Sequence, residues 1–328
     1  FKRYIEAFKK KYPGITDVKI EGIKDYSNTM RVRMAANEFP DVMSLVQTTP
    51  SDFPKYYEPL DDLGWNDRLF FTGFTSYDGS LYGISQQGAL VGIVYNKKVF
   101  ADAGVEPPRT LDELYDISEK LKQKGYTPMA TAYKDAWAIQ YWEHPSEFIY
   151  GSNTLRNDNL NTDAPFQVDN AYGKGLQILR TMYERGYLEK DIFSASYDQT
   201  LKDIAAGKTA MMYIGNFLVS ALIQNGMKPE DIGFVPLPHD NSGKLYGAVR
   251  PDWAYAVSKT SKNKAAAKAF IKFMIEESGD FEDHYIVSPL KDAEHSIPMI
   301  AEFMSYEPEL MEQLPPHPEI IEIENKMQ

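Results

Sequence analysis

The chain holds 328 residues, with 47 acidic against 35 basic side chains and a net charge of −12. That length suits two domains, and the acidity disfavours nucleic acid and anionic lipid as partners, since both call for a basic patch. No apolar run approaches the roughly 20 residues of a membrane helix, and with no cysteine there is no disulfide, thiol catalysis or cysteine metal ligand.

Residues 1–12 read as an amphipathic helix stopped by Pro13-Gly14. It opens without a methionine and already inside its pattern (Phe1, Tyr4, Ile5, Phe8), so a preceding segment, such as a signal peptide, is expected. Residues 18–21 alternate as a short half-buried strand. A helix over 26–36 and a strand over 41–46 follow, and this αβαβ order favours a parallel sheet. Val91-Gly92-Ile93-Val94-Tyr95 is the β-branched run of a strand covered on both faces, punctuated by Gly88 and Asn96. A short helix from Val99 closes at Gly104, a position that favours a left-handed cap, and Pro107-Pro108 blocks its continuation. Thr110, with Glu113 three residues on, opens the next helix as a capping box and places Leu111, Leu114, Ile117 and Leu121 on one face.

Further along, residues 170–187 give a long helix with Leu176, Leu179, Met182 and Tyr183 sharing a face and Arg185-Gly186 as its cap. Strands are expected after Gly207, over 234–238 and over 253–258, and an alanine-rich helix over 265–275. The remainder is helical and broken at Pro315, Pro316 and Pro318, and is expected to lack a final helix.

Several chemistries fail on spacing. Gly207-Lys208-Thr209 lacks the phosphate loop's first glycine, since Lys202 stands there, and reads instead as a helix cap before a strand. Gly83-Ile84-Ser85-Gln86-Gln87 has glutamine where the nucleophile elbow needs glycine. The five histidines, His144, His239, His284, His295 and His317, show no metal spacing, and residues 157–163 lack the glycine and distal glutamate of a calcium loop. Asp61-Asp62 are adjacent, so their side chains diverge instead of flanking one glycosidic bond. No cofactor, no metal and no catalytic residue is expected.

What remains is a set of aromatics and amides beyond strand ends: Gln47, Gln86, Gln87, Trp137, Asn216, Phe217, Asp252 and Trp253. A sugar presents an apolar ring face and a rim of hydroxyls, so its pocket needs flat aromatics beside amides or carboxylates. Trp137, Tyr141 and Trp142 have near-helical spacing, which assigns Tyr141 and Trp142 to the core.

The run from Tyr95-Asn96-Lys97 through Phe100, Ala103-Gly104 and Pro107-Pro108 to Thr110-Leu111-Asp112-Glu113-Leu114 resembles bacterial carbohydrate-binding proteins of ABC importers, the maltose-binding-protein-like group. Pro40-Asp41-Val42, residues 58–63 and 77–84, Ala205 to Met212 with Gly215-Asn216-Phe217, residues 265–275 and residues 288–293 extend the likeness over nearly the whole chain, weakly after Glu294. The group commonly has an aspartate and a tryptophan near Asp135 and Trp137, often tryptophan where Phe217 stands, and paired glycines where this chain has Pro251-Asp252.

The resemblance implies an α/β, two-lobed periplasmic-binding-protein-like fold of type II, its lobes joined by two or three hinge crossings. Residues 1–96 and 253–287 would form lobe one, and 97–252 with 288–328 lobe two. It implies a monomeric, extracytoplasmic receptor, periplasmic or lipid-anchored, that closes on a carbohydrate and delivers it to an ABC transporter permease without catalysis. A carbohydrate-active hydrolase and a same-fold receptor for a non-sugar solute are the alternatives. Trp253 is expected to stack on a sugar ring from lobe one, opposed across the cleft by Trp137 and Phe217 from lobe two.

Overall fold

A computed structural model of the chain describes residues 2–46, 48–293 and 297–327. They fall into two units, Phe1–Gly88 with Pro251–Glu294, and Ala89–Arg250 with His295–Gln328.

In the first unit, helix Lys2–Lys11 turns Tyr4 and Phe8 onto Phe273 and Met274 of helix Lys264–Glu276. Residues 18–21, expected as a strand, form none: Val18 leans on that cluster and Ile20 is 49% exposed. Alternation makes a strand only where a neighbour supplies the ladder of hydrogen bonds, and no described strand pairs with this segment. The unit's three-stranded sheet runs Val42–Ser44, Ala254–Val257, Ile84–Ser85, with both pairings antiparallel. The parallel sheet expected from the opening αβαβ order is therefore corrected among the described strands. Successive residues of the central strand serve opposite faces: Val257 packs with Ile84, Ile271 and Leu290, while Ala256 packs with Met30, Met43 and Tyr57.

The second unit holds a six-stranded sheet in the order Glu309–Glu312, Tyr246–Pro251, Gly88–Asn96, Thr209–Gly215, Thr127–Ala130, with Ile232–Val235 paired to the far half of Gly88–Asn96. Gly88–Asn96 is central and buried along almost its whole length, as its β-branched run requires. At Gly92 a Cβ would sit 2.6 Å from the Val235 carbonyl oxygen, so only glycine lets the two backbones approach. Because this strand pairs from Val91 onward within the second unit, the chain changes unit at Gly88/Ala89, where the sequence placed the change at Asn96. The return lies at Arg250/Pro251, against an expected 252/253, and the third change falls after residue 293, against an expected 287/288.

Helix Lys97–Ala103 is capped by the Asn96 carboxamide and closed by Gly104 at φ 64. Helix Leu111–Gln123 carries the Thr110/Glu113 capping box and buries Leu114, Ile117 and Leu121. Helix Ala171–Glu184 starts at the Asn170 cap, but its buried face is Tyr172, Gly175, Ile178 and Met182, whereas Leu176 and Tyr183 are 44% and 58% exposed. The rotation follows from Gly175, where a Cβ would lie 2.2 Å from Ser146 Oγ, so the helix meets His144–Tyr150 along its smallest residue.

Candidate functional site

In the first unit, Trp253 lies directly before strand Ala254–Val257, which is paired on both sides. Its N–H donates to Asp252 Oδ1 at 2.8 Å, and its carbonyl accepts the Gln86 N–H at 2.6 Å. The backbone is thereby fixed while the ring remains 46% exposed. Gln86 Nε2 donates to Ser44 Oγ at 2.9 Å, Ser85 Oγ donates to the Gln87 carbonyl at 2.8 Å, and Gln87 Nε2 donates to the Asp252 carboxylate. Four of the sequence-named residues, Gln86, Gln87, Asp252 and Trp253, therefore meet at the ends of adjoining strands. Gln47 lies outside the described residues.

Sequence reasoning missed Tyr26 and Ser44. The Tyr26 ring packs edge-on against Trp253, and its hydroxyl donates to the Ser44 carbonyl at 2.6 Å. Neither residue stands in a motif: Tyr26 reads as the first residue of a helix, and Ser44 as one more residue of a strand.

In the second unit, Trp137 sits on the 3-10 helix Ala136–Glu143 and is 42% exposed, while Tyr141 and Trp142 of the same helix are buried. Around the Trp137 ring lie Tyr197 at 5.1 Å, Phe217 at 6.3 Å and Tyr141 at 6.4 Å between centroids. Phe217 opens helix Phe217–Gln224 and folds its ring back over Gly215, where a Cβ would meet Phe217 Cε1 at 2.5 Å. Asn216 is 1% exposed; its Oδ1 accepts the Leu90 N–H and its own N–H donates to the Leu90 carbonyl, both at 2.9 Å. It therefore anchors the Gly215-Asn216-Phe217 turn to the central strand.

Tyr197 and Arg250 are the residues of this cluster that the sequence did not mark. Arg250 places its guanidinium 5.6 Å from the centre of the Tyr141 ring and donates from Nε to Gln313 Oε1 at 3.1 Å. Nearby, burial raises the Glu147 carboxyl to about 7, with the charge of Glu143 adding to it and Arg250 and Arg156 opposing. Burial also lowers His144 to about 3. Concave regions of about 480 and 620 Å³ on this unit are lined by other residues, around Tyr172 and around Tyr246, and include neither Trp137 nor Phe217. Exposed aromatics beside amides and a carboxylate make stacking surfaces with directional hydrogen bonds, which is recognition chemistry.

Comparison with known proteins adds a lineage. The family described as bacterial extracellular solute-binding protein matches residues 1–280. The melibiose/raffinose/stachyose-binding protein MelE of Bacillus subtilis is 24% identical over 286 residues, 84% of this chain and 66% of that protein. The chain spans about two thirds of the length of the curated relatives it matches. Among solved structures, a binding protein of an ABC transporter from Bifidobacterium animalis subsp. lactis, in complex with mannobiose, is 28% identical with a TM-score of 0.80, covering 96% of this chain and 76% of that one. A manno-oligosaccharide specific solute binding protein from the same organism, in complex with mannotriose, is 25% identical with a TM-score of 0.81, covering 97% and 77%. The fold shared with these structures is the two-lobed α/β architecture of type II periplasmic binding proteins.

Proposed function

The chain belongs to the bacterial extracellular solute-binding protein family, and on that premise we propose that it is an extracytoplasmic carbohydrate receptor that hands its ligand unchanged to an ABC permease. The observation that carries the reading is the exposed Trp137 ring amid Tyr197, Phe217 and Tyr141, a flat apolar surface suited to the face of a pyranose. In the first unit, Trp253, with Gln86, Gln87 and Asp252 beside it, sets another exposed ring next to the amide and carboxylate groups that hydroxyls need. The ligands of the two Bifidobacterium structures, mannobiose and mannotriose, support an oligosaccharide of short length. Trp253, Trp137, Phe217, Gln86, Gln87 and Asp252 are the ligand-binding residues of this reading, with Asn216 holding Phe217 in place.

The test is a thermal-shift panel of manno-, chito- and raffinose-type oligosaccharides. A ligand held at 100 times its dissociation constant adds about 2.7 kcal/mol of stability, and chromatography of the same mixtures should return each sugar intact. A panel with no stabilising member would overturn the carbohydrate reading, and cleaved sugar would replace the receptor with a hydrolase.

A further inference from the structure

Glu189 lies outside the residues named above, yet three donors converge on its Oε1: the Thr131 N–H at 2.7 Å, the Thr131 hydroxyl at 3.0 Å and the Ala132 N–H at 3.1 Å. Two successive N–H groups aimed at one oxygen form an anion-binding concavity. Ala132, the second of them, has φ 54, a conformation that residues with a Cβ seldom adopt. Thr131 and Ala132 are 1% and 0% exposed, so this corner is set inside the unit. It is the corner at which the chain leaves strand Thr127–Ala130 on its way to Trp137.

From that corner onward the path is pinned again. The Asp135 N–H donates to the Ala132 carbonyl at 3.1 Å, and the Lys134 N–H donates to the Ala195 carbonyl at 3.0 Å. Asp135 Oδ2 accepts the Tyr197 N–H at 2.6 Å, and the Tyr197 ring is the nearest of the three around Trp137. The two segments therefore run as a ladder, with Glu189 at one end and the Trp137 ring at the other.

We propose that Glu189 is a positioning residue for ligand binding: by holding the Thr131-Ala132 corner it sets how the Trp137 ring is presented. Glu189 itself touches no ligand. The proposal rests on Trp137 being a ligand-contacting ring.

The test is a double-mutant cycle on affinity for a carbohydrate that stabilises the wild type. Glu189→Ala should weaken binding by at least roughly tenfold, the scale of a lost ring stack. Glu189→Gln, whose amide oxygen still accepts from both N–H groups, should recover most of that loss. The pair Glu189→Ala with Trp137→Ala should bind no worse than Trp137→Ala alone, because the first acts through the second. Additive losses would overturn the proposal. A readout independent of ligand is amide exchange at Thr131 and Ala132 together with acrylamide quenching in a Trp253→Phe background. Both should rise in Glu189→Ala, and in Glu189→Asp if the alanine variant does not fold, and unchanged values would overturn the proposal. A rise in both, with a wild type that binds no carbohydrate, would support the positioning of Trp137 and overturn the carbohydrate reading.

Discussion

The Trp253 ring stands edge-on to the Tyr26 ring, with centroids 5.4 Å apart and planes at 84°. Tyr26 is itself tied through its hydroxyl to the Ser44 carbonyl, so the indole rests against a fixed brace. With the ring 46% exposed, Trp253→Ala should cost little stability and weaken carbohydrate binding by about 1 to 3 kcal/mol, the scale of other ring stacking. Truncating a core tryptophan costs about 3 to 5 kcal/mol of stability instead. Melting and titration of this one variant separate the cases: a steep fall in melting temperature, or an unchanged affinity, would assign Trp253 to the scaffold.

Asn96 performs two tasks with one carboxamide. Its Oδ1 accepts from the N–H groups of Lys98 at 3.0 Å and Val99 at 3.3 Å, and its Nδ2 donates to the Ile204 carbonyl at 2.9 Å. Asn96→Ala removes a helix cap, about 0.5 to 2 kcal/mol, and one hydrogen bond to the Ile204 carbonyl, which keeps the Gly207 N–H, about 0.5 to 1.5 kcal/mol. A loss of about 1 to 3.5 kcal/mol in urea denaturation is expected. A loss under about 0.5 kcal/mol, the range of ordinary surface changes, would mean that water replaces both bonds.

These residues also show what the sequence made legible. The run from Gly104 to the Thr110 capping box is local chemistry, a left-handed glycine, a proline stop and a capping box, and each is found where its spacing placed it, while the Asn96 cap and the helix start at Lys97 were not read. Gln87 and Trp253 were readable for the same reason, since they adjoin strands the sequence marked, whereas the two-residue strand Ile84–Ser85 before Gln86 was not marked. What could not be read depends on partners distant in sequence. Residues 18–21 alternate correctly but find no ladder, and Tyr26, Tyr197 and Arg250 reach the ring clusters only through tertiary packing. The face of helix Ala171–Glu184 was misread because apolar periodicity pointed to Leu176 and Tyr183, while close approach at a glycine decided the rotation.

That approach sets a sharp expectation for Gly175→Ala. A new Cβ would lie 2.2 Å from Ser146 Oγ and 2.7 Å from the Ser146 backbone nitrogen. The hydroxyl can rotate away but the backbone cannot, so the helices must separate. Overpacking typically costs about 1 to 3 kcal/mol, and a clash with backbone belongs in the upper part of that range, above the roughly 1 kcal/mol gain in helix propensity from Gly to Ala. Gly175→Ala should therefore lower the denaturation midpoint. A raised midpoint would show that the helix pair relaxes freely.

Glu147 gives the pH dependence. Its carboxyl faces Glu143, Arg156 and Arg250, with the Tyr172 and Tyr213 hydroxyls in the same field, and His144 precedes it on its own helix. Burial raises it from 4.5 to about 7. Below pH 4.5 the acid is protonated in both folded and unfolded chains and contributes no slope. Between pH 4.5 and about 7 the folded chain keeps a proton that the unfolded chain has lost, so stability falls as pH rises, and above about 7 the slope vanishes again. His144, lowered from 6.5 to about 3, acts in the opposite sense: the unfolded chain binds the proton more readily, so stability rises between pH 3 and 6.5. Comparing Glu147→Gln with the wild type cancels the histidine and isolates the carboxyl. The stability difference should be flat below pH 4.5, grow by about 3 kcal/mol in favour of glutamine up to pH 7, and then level off. Denaturation of both proteins across that range checks it, and a difference that stays flat would mean that Arg156 and Arg250 keep the carboxylate ionised throughout.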